Sequence, residues 1–204
     1  MLSKYQALIF DLDGVIIDSE SLRIHTYKVL FKESFSIDIK INKNDFVGNS
    51  EESNLSYIIK QYSLVADIAL LIEKRKTLLN DLAKNEILFN VPVINLLILA
   101  KKMNLLTAVC TNSHRDYLQI ILDRLSGIAS VDIALSREDI RKPKPDPEIY
   151  QKASFMLDVK PEKCLVFEDS KPGREAAKIA NMDVIIVPED VASTFITIDS
   201  LSGA

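Results

Sequence analysis

The chain has 204 residues, of which 48% are hydrophobic and 26% are charged, and its formal net charge is −4. This length and apolar content allow a buried core and exclude a disordered protein, while five glycines and seven prolines exclude collagen-like material. Two cysteines exclude a disulfide scaffold and a four-cysteine zinc site, and the acidic balance gives no electrostatic case for binding nucleic acid.

Five short apolar runs rich in valine and isoleucine predict buried strands. In chain order they are 7–10, 106–110, 131–135, 164–167 and 184–187. Their near-continuous hydrophobicity is typical of a parallel sheet that is covered on both faces. Cys110 and Cys164 fall inside two of these runs, so both are predicted to be reduced core residues.

Helical patterns separate the later strands. They cover 113–125, 148–157 and 173–180, and Ser113 is placed to cap the first of them. Alternating strands and helices predict an α/β fold with a doubly wound parallel sheet.

The interval 16–88 breaks this alternation. It predicts successive helices at about 21–32, 50–62 and 66–83 with no strong strand between them. We therefore expect residues 1–15 and 89–204 to form the α/β core, with 16–88 inserted after the first strand as an α-helical domain over the ligand-binding edge of the sheet.

The lengths of the apolar runs also bear on the cellular location of the protein. The run after the N-terminus is interrupted by Asp11, and 91–100 has half the length that a membrane span needs. We expect a cytoplasmic protein that contacts neither membrane nor nucleic acid, with a monomer as the default.

Polar residues follow three of the predicted strands and one predicted loop. They are Asp11 and Asp13 with Gly14, then Thr111 and Asn112, then Glu168 and Asp169, and the loop Lys142-Pro-Lys-Pro-Asp146. The carboxyl ends of parallel strands share one edge of the sheet, so these groups are predicted to meet in a single crevice.

Four carboxylates in one crevice need compensating charge. Two like charges about 4 Å apart repel by about 4 kcal/mol at an effective dielectric of about 20. A hard divalent cation is the natural partner, and we expect Mg²⁺, with Lys142 adding a further positive charge. Mg²⁺ commonly shares its remaining positions with water and phosphate, so the pattern indicates a site for a phosphoryl group.

The order of these motifs resembles the four motifs of the haloacid dehalogenase-like (HAD) hydrolase superfamily. The stretches 10–20 (FDLDGVIIDSE) and 167–177 (FEDSKPGREAA) are similar to its β-phosphoglucomutase/phosphatase branch. The resemblance covers essentially the whole chain, more weakly in the helical insertion, and implies a Rossmann-like core with a helical cap.

The resemblance also implies roles for single residues. Asp11 is the expected nucleophile, and Asp13 the general acid and base. The resemblance further implies phosphoryl contacts from Thr111, the Asn112 backbone N–H and Lys142, and metal contacts from Asp11, the Asp13 main-chain carbonyl, Asp169 and Glu168. Together they imply a Mg²⁺-dependent phosphatase that acts on a small phosphorylated metabolite.

Several local alternatives stay open. The acids and hydroxyls could serve as turn or helix-capping residues, and Lys142 could be a surface lysine in a proline-stiffened loop. The lysine motif has a second possible register, because Lys144-Pro-Asp-Pro-Glu148 partly repeats the pattern. We prefer Lys142, since only that register gives Lys-Pro-x-Pro-Asp. His25 and His114 are expected to lie outside the chemistry.

Other reactions are also possible. A β-phosphoglucomutase resembles this chain but carries a cap arginine in a Gly-x-Ser-Arg pattern, where this chain has Gly48-Asn49-Ser50-Glu51. An acid there would repel a second phosphate, and Arg23 stands where mutases carry a histidine. A non-catalytic phosphoryl-binding protein is the alternative from another class, although a binder has no need of Asp13.

Overall fold

The computed structural model describes residues 2–42, 46 and 50–187, and the backbone of 195–196. Its helices and strands in chain order are β1 (Ala7–Phe10), α1 (Ser19–Phe35), α2 (Glu51–Gln61), α3 (Ile68–Glu86), β2 (Phe89–Asn90), α4 (Val91–Lys102), β3 (Leu106–Cys110), α5 (Arg115–Leu125), β4 (Ile133–Leu135), α6 (Glu148–Met156), β5 (Cys164–Glu168), α7 (Lys171–Ile179), β6 (Asp183–Ile186) and β7 (Phe195–Ile196). Among the helices of these described stretches, none combines the length and apolarity that crossing a membrane requires. The chain divides into two compact units, one formed by residues up to Ser19 and from Ile87 onward, the other by Glu20–Glu86.

The first unit contains a sheet of five parallel strands in the order β4-β3-β1-β5-β6. Every residue of β1 and β5 is buried, as expected for central strands covered on both faces. The α/β class with a doubly wound parallel sheet is confirmed, and each strand begins and ends within two residues of its predicted bounds. The near-continuous apolar runs were a sufficient signal for these strands.

The order of the strands opens a crevice beside β1. After β1 the chain forms β3 and β4 on one side, and then crosses to form β5 and β6 on the other. Connections at such a switch point diverge, which leaves room for a ligand outside the carboxyl ends of the strands. The residues directly after β1, β3 and β5 therefore border this crevice. The helices α6 and α7 share a buried core with these three strands on one face of the sheet.

The second unit consists of three helices with a core of their own. Each begins and ends within three residues of a predicted helical segment. Ser50 caps α2 by accepting a hydrogen bond from the Ser53 N–H at 3.2 Å. Its core includes Tyr27, Phe31, Leu55, Ile58 and Leu71. That this unit serves as a cap stays a prediction. The glycine and asparagine of the predicted 48–51 motif lie outside the described residues.

Candidate active site

Three acidic side chains meet at the crevice beside β1. Asp11 directly follows β1, Glu168 ends β5, and Asp169 comes next, so two neighbouring parallel strands deliver all three. Asp11 and Glu168 are buried and Asp169 is partly buried. One carboxylate oxygen from each residue lies within 4.8 Å of the others. The structure thus brings together three of the four predicted acids.

A lysine from the loop before α6 lies inside this cluster. Lys144 Nζ donates hydrogen bonds to Asp11 Oδ1 at 2.5 Å and to Glu168 Oε1 at 2.7 Å. Its third hydrogen bond goes to the main-chain carbonyl of Cys110 at 2.8 Å. The side chain is 3% exposed, and an ammonium group has three donors. Lys144 is therefore fully bonded and fixed between β1, β3 and β5.

The structure places the predicted site lysine, Lys142, at the surface. The side chain of Lys142 is 75% exposed, and its Nζ lies 3.8 Å from Asp146 Oδ2 at the surface. Of the two overlapping Lys-Pro-x-Pro patterns, the one that begins at Lys144 supplies the buried cation. The structure thus places Lys144 among the acids and Lys142 outside them, and the catalytic and phosphate-binding role predicted for Lys142 is proposed for Lys144 below.

Two side chains hold the loop in the observed register. Asn112, after β3, accepts a hydrogen bond from the Lys144 N–H at 3.1 Å and donates one to the Lys144 carbonyl at 3.5 Å. Glu148, which begins α6, accepts the backbone N–H groups of Arg141 and Lys142 at 3.0 to 3.1 Å. These contacts fix the backbone of Lys144 against the end of β3, so its side chain enters the crevice.

Glu168 supports both the lysine and the turn after β5. Besides Lys144, its Oε1 accepts the Tyr150 hydroxyl at 3.0 Å. Its Oε2 accepts the backbone N–H and the hydroxyl of Ser170 at 2.9 and 2.8 Å. Each oxygen thus has two protein donors, which fills the usual accepting capacity of a carboxylate. Tyr150 was absent from the predicted site, because the pattern of an aromatic residue in an apolar helix predicts a side chain in the hydrophobic core.

The Asp13 carboxylate is bound by two hydroxyls at the end of β3. Its Oδ2 accepts hydrogen bonds from Thr111 Oγ1 at 3.2 Å and from Ser113 Oγ at 2.6 Å. In the described parts of the chain, its side chain does not belong to the group of three acids that could hold a metal. A metal contact from Asp13 therefore depends on its main-chain carbonyl.

Ser113 does not cap α5, contrary to the prediction. The helix begins at Arg115, and its N-cap residue, His114, makes no side-chain capping bond. The Ser113 hydroxyl donates to Asp13 instead, across 100 positions of sequence. A long-range carboxyl acceptor has therefore displaced the local capping interaction that the sequence pattern favours.

Comparison with known proteins identifies the family of this site. The sequence profile of the haloacid dehalogenase-like hydrolases matches residues 8–187, a span that contains every site residue described above. The chain belongs to this family. Two relatives show which branch of the family the chain resembles, and one solved structure shares its fold.

A phosphorylated carbohydrates phosphatase of Thermotoga maritima is 29% identical over 187 residues, which are 88% of this chain and 83% of the relative. A β-phosphoglucomutase of Bacillus subtilis is 30% identical over 189 residues, 87% of this chain and 80% of the relative. The crystal structure of a HAD-superfamily hydrolase of subfamily IA from Geobacter sulfurreducens matches with a TM-score of 0.77 at 18% identity, covering 90% of this chain and 87% of that one. The resemblance to the β-phosphoglucomutase/phosphatase branch is thereby confirmed.

In this hydrolase the acidic cluster carries more negative charge than Lys144 balances. Burial raises the pKa of the Asp11 carboxyl well above its usual range, against the opposing charge of Lys144. Burial, followed by the charge of Glu168, raises the pKa of Asp169 to about 6. Burial also disfavours the charged form of Lys144, but Asp11 and the other anionic neighbours hold the pKa of its ammonium well above the usual range. The cluster therefore favours a further cation.

The donor set fits a hard divalent cation. Asp11 and Asp169 offer carboxylate oxygens, the ligand type that Mg²⁺ prefers. The raised pKa of each carboxyl shows that its ionised form is disfavoured, and a bound cation would offset that cost. Glu168 differs, because both of its oxygens already accept two protein hydrogen bonds. It fits a supporting position better than a direct metal contact.

The cysteines lie inside buried strands, as predicted, and both histidines contact glutamates. His114 pairs with Glu138 at 2.6 Å on the surface, and His25 lies 3.4 Å from Glu86. Cys110 and Cys164 are buried and unoxidised. None of the four belongs to the acidic cluster in the described residues.

Two glycines allow the backbone to approach the acids closely. A Cβ on Gly14 would lie 2.0 Å from Asp169 Oδ2, and the φ of Gly14 is +76°. A Cβ on Gly173, in the first turn of α7, would lie 1.6 Å from Glu168 Oε1. Both positions therefore need glycine for space, and Gly14 needs it for its conformation as well.

We expect Gly173→Ala to lower the free energy of unfolding by about 3 kcal/mol, because the methyl group would displace the carboxylate that holds Lys144. Gly127→Ala is the matched control: nothing lies within 4 Å of its added Cβ, and we expect a change within about 0.5 kcal/mol. Urea unfolding of both variants measures the difference. If the Gly173→Ala and Gly127→Ala variants were equally stable, the close approach of Gly173 to Glu168 would not matter for folding.

Proposed function

We propose that the protein is a Mg²⁺-dependent phosphatase that hydrolyses a phosphate monoester of a small metabolite through an aspartyl-phosphate intermediate. The observation that carries the proposal is the different environment of two acids in one short segment. Asp11 is buried beside Lys144, whereas Asp13 accepts two hydroxyl groups at the end of β3. One acid can attack phosphorus while the other transfers the proton.

In the first step a carboxylate oxygen of Asp11 forms a bond to phosphorus, and the bond from phosphorus to the ester oxygen breaks. Asp13 enters this step protonated and gives its proton to the departing oxygen, which leaves as an alcohol. The products are the aspartyl-phosphate on Asp11, the free alcohol and the Asp13 carboxylate.

In the second step a water molecule attacks the phosphorus of the aspartyl-phosphate. Asp13, now a carboxylate, takes a proton from this water as its oxygen bonds to phosphorus, and the bond between phosphorus and Asp11 breaks. Inorganic phosphate leaves, and both acids return to their starting states.

Charge on the transferred group is balanced by residues around the crevice. Lys144 supplies the fixed positive charge, and the Thr111 hydroxyl with the Asn112 backbone N–H supplies neutral donors for phosphoryl oxygens. Asp11 and Asp169, with the Asp13 main-chain carbonyl, would hold Mg²⁺, which supplies Lewis-acid stabilisation of phosphoryl oxygens when bound. Glu168 acts through Lys144.

A sugar phosphate mutase is the second candidate, supported by the 30% identity to the Bacillus subtilis enzyme. A mutase needs a free cation for a second phosphate. In the helical unit, Glu51 stands at the position of the arginine in the Gly-x-Ser-Arg pattern of the mutases. Its carboxylate accepts a hydrogen bond from Arg75 Nη1 at 2.7 Å. Arg75 is buried, its side chain 6% exposed, so its charge is already neutralised by Glu51. This pairing favours the phosphatase.

The experiment measures phosphate release by the protein stripped of metal with EDTA and then supplied with Mg²⁺. The substrates are p-nitrophenyl phosphate, sugar phosphates, phosphoglycolate and nucleoside monophosphates. We expect hydrolysis of at least one of them to fall by about a hundredfold or more without the metal. Protons compete with the metal for Asp169, whose pKa is raised to about 6, so the Mg²⁺ affinity should fall as the pH falls through that value.

Phosphate release that is equally fast in EDTA would overturn the metal requirement. Conversion of glucose 1-phosphate to an isomer without phosphate release would replace the phosphatase with the mutase. Binding of inorganic phosphate with no turnover of any substrate would favour the non-catalytic alternative.

A further inference from the structure

Ser113 is held in place although it caps no helix. Its N–H donates to Thr111 Oγ1 at 2.9 Å, and its carbonyl accepts the Arg137 N–H at 3.0 Å. Both backbone groups are therefore bonded, and the residue is partly buried. Its hydroxyl donates to Asp13 Oδ2 at 2.6 Å, within the range expected of a hydroxyl bound to a carboxylate.

The two hydroxyls around Asp13 bind the same oxygen. Thr111 and Ser113 both donate to Oδ2. Within the part of the chain that the structure describes, no hydrogen bond to Oδ1 is present. A carboxyl group that is bound at one oxygen presents its other oxygen to the reacting groups. The arrangement therefore leaves Oδ1 as the oxygen that can face the leaving group.

A hydroxyl group has one hydrogen, so it can donate to one acceptor at a time. If Thr111 donates to a phosphoryl oxygen, as the proposed function requires, it gives up its hydrogen bond to Asp13. That bond is also the longer of the two, 3.2 Å against 2.6 Å for Ser113. Ser113 is then the donor that stays on Asp13 during the reaction.

We infer that Ser113 is a positioning residue that holds Oδ2 of Asp13, so that Oδ1 delivers the proton to the leaving oxygen. This inference rests on the proposed phosphatase function and deepens it. The Ser113 hydroxyl itself loses no proton and forms no bond to the substrate. Its contribution should therefore depend on how much the leaving group needs a proton.

The test compares two substrates of nearly the same shape, p-nitrophenyl phosphate and phenyl phosphate. p-Nitrophenolate is a weak base and leaves without a proton, whereas phenolate is a stronger base and gains from acid catalysis. For Ser113→Ala with Mg²⁺ we expect kcat/KM on phenyl phosphate to fall at least about tenfold, and on p-nitrophenyl phosphate less than about threefold. kcat/KM is the informative constant because it reports the steps up to departure of the alcohol.

Two further variants separate positioning from folding. Ser113→Thr keeps a hydroxyl and should restore most of the loss on phenyl phosphate. Ser126→Ala removes a hydroxyl that donates to the Asp123 carbonyl at the far end of α5, and it should leave both substrates unaffected. Equal losses on the two substrates, no loss on either, or a failure of Ser113→Thr to restore activity would overturn the inference.

The activity of the wild type shows whether a negative result concerns only Ser113 or the proposed phosphatase function as well. If the wild type hydrolyses both esters and Asp11→Asn hydrolyses neither, equal losses in Ser113→Ala overturn only the role of Ser113. If the wild type with Mg²⁺ hydrolyses neither aryl ester and none of the sugar phosphates, phosphoglycolate or nucleoside monophosphates, the phosphatase proposal and this inference are both overturned.

Discussion

Asp11→Asn should lower kcat/KM for p-nitrophenyl phosphate by at least about ten-thousandfold, because an amide oxygen cannot serve as the nucleophile. The variant should still fold. Asparagine keeps an oxygen that can accept the Lys144 hydrogen bond, and Lys144 retains Glu168 at 2.7 Å. Removing a carboxylate whose pKa is raised by burial also removes an electrostatic cost. Steady-state kinetics and thermal unfolding of the two proteins measure these effects.

The same variant tests the covalent intermediate directly. Wild-type protein mixed with radiolabelled substrate and quenched in acid should retain label that hydroxylamine removes, as expected of an acyl phosphate. Asp11→Asn should retain none. Asp116→Asn, an exposed aspartate in the first turn of α5, is the matched control and should behave as the wild type. Label that persists in Asp11→Asn would assign the nucleophile to another residue.

The strands that place Asp11 could be predicted from sequence for a simple physical reason. Buried parallel strands are largely apolar on both faces, so β1, β3 and β5 each stand out as a near-continuous hydrophobic run that ends in polar residues. The ends of those runs mark the edge of the sheet, and the edge marks the site. Asp11, Glu168 and Asp169 follow from this argument alone.

The side chain of Ser113 could not be predicted in the same way. A serine followed three residues later by an acid is a local capping pattern, and the competing acceptor, Asp13, is 100 positions away. Tyr150 presents the same difficulty, since its hydroxyl matters only because Glu168 lies 3.0 Å from it. Both assignments depend on pairs of residues that the fold brings together, and no local spacing encodes such pairs.

The lysine motif shows a different limit. Lys142 and Lys144 are two residues apart in a loop, each followed by proline, and either can be aligned with the pattern. The choice between them is made by Asn112 and Glu148, which bind the loop backbone. A loop has no regular alternation of faces, so the sequence did not show which lysine turns inward.

Lys144→Met and Lys142→Met provide a decisive comparison because they remove the same charge two positions apart. Lys144 is 3% exposed and bonded to two carboxylates. Removing it leaves Asp11 and Glu168 buried without a cation, and we expect a loss of about 3–5 kcal/mol in the free energy of unfolding of the metal-free protein. We also expect kcat/KM to fall by about a thousandfold, since the transferred group loses its fixed positive charge.

Lys142→Met should change the free energy of unfolding by less than about 0.5 kcal/mol, since its side chain is 75% exposed and 3.8 Å from Asp146. Its kcat/KM should stay within about twofold of the wild type, because solvent screens a charge at that exposure. Urea unfolding and p-nitrophenyl phosphate kinetics on both variants measure the contrast. If Lys142→Met were the inactive variant, the anchoring of the loop by Asn112 and Glu148 would not describe the working enzyme.

Mg²⁺ offers a final check on the same two variants. Because it adds a cation beside the unpaired acids, it should restore more stability to Lys144→Met than to Lys142→Met.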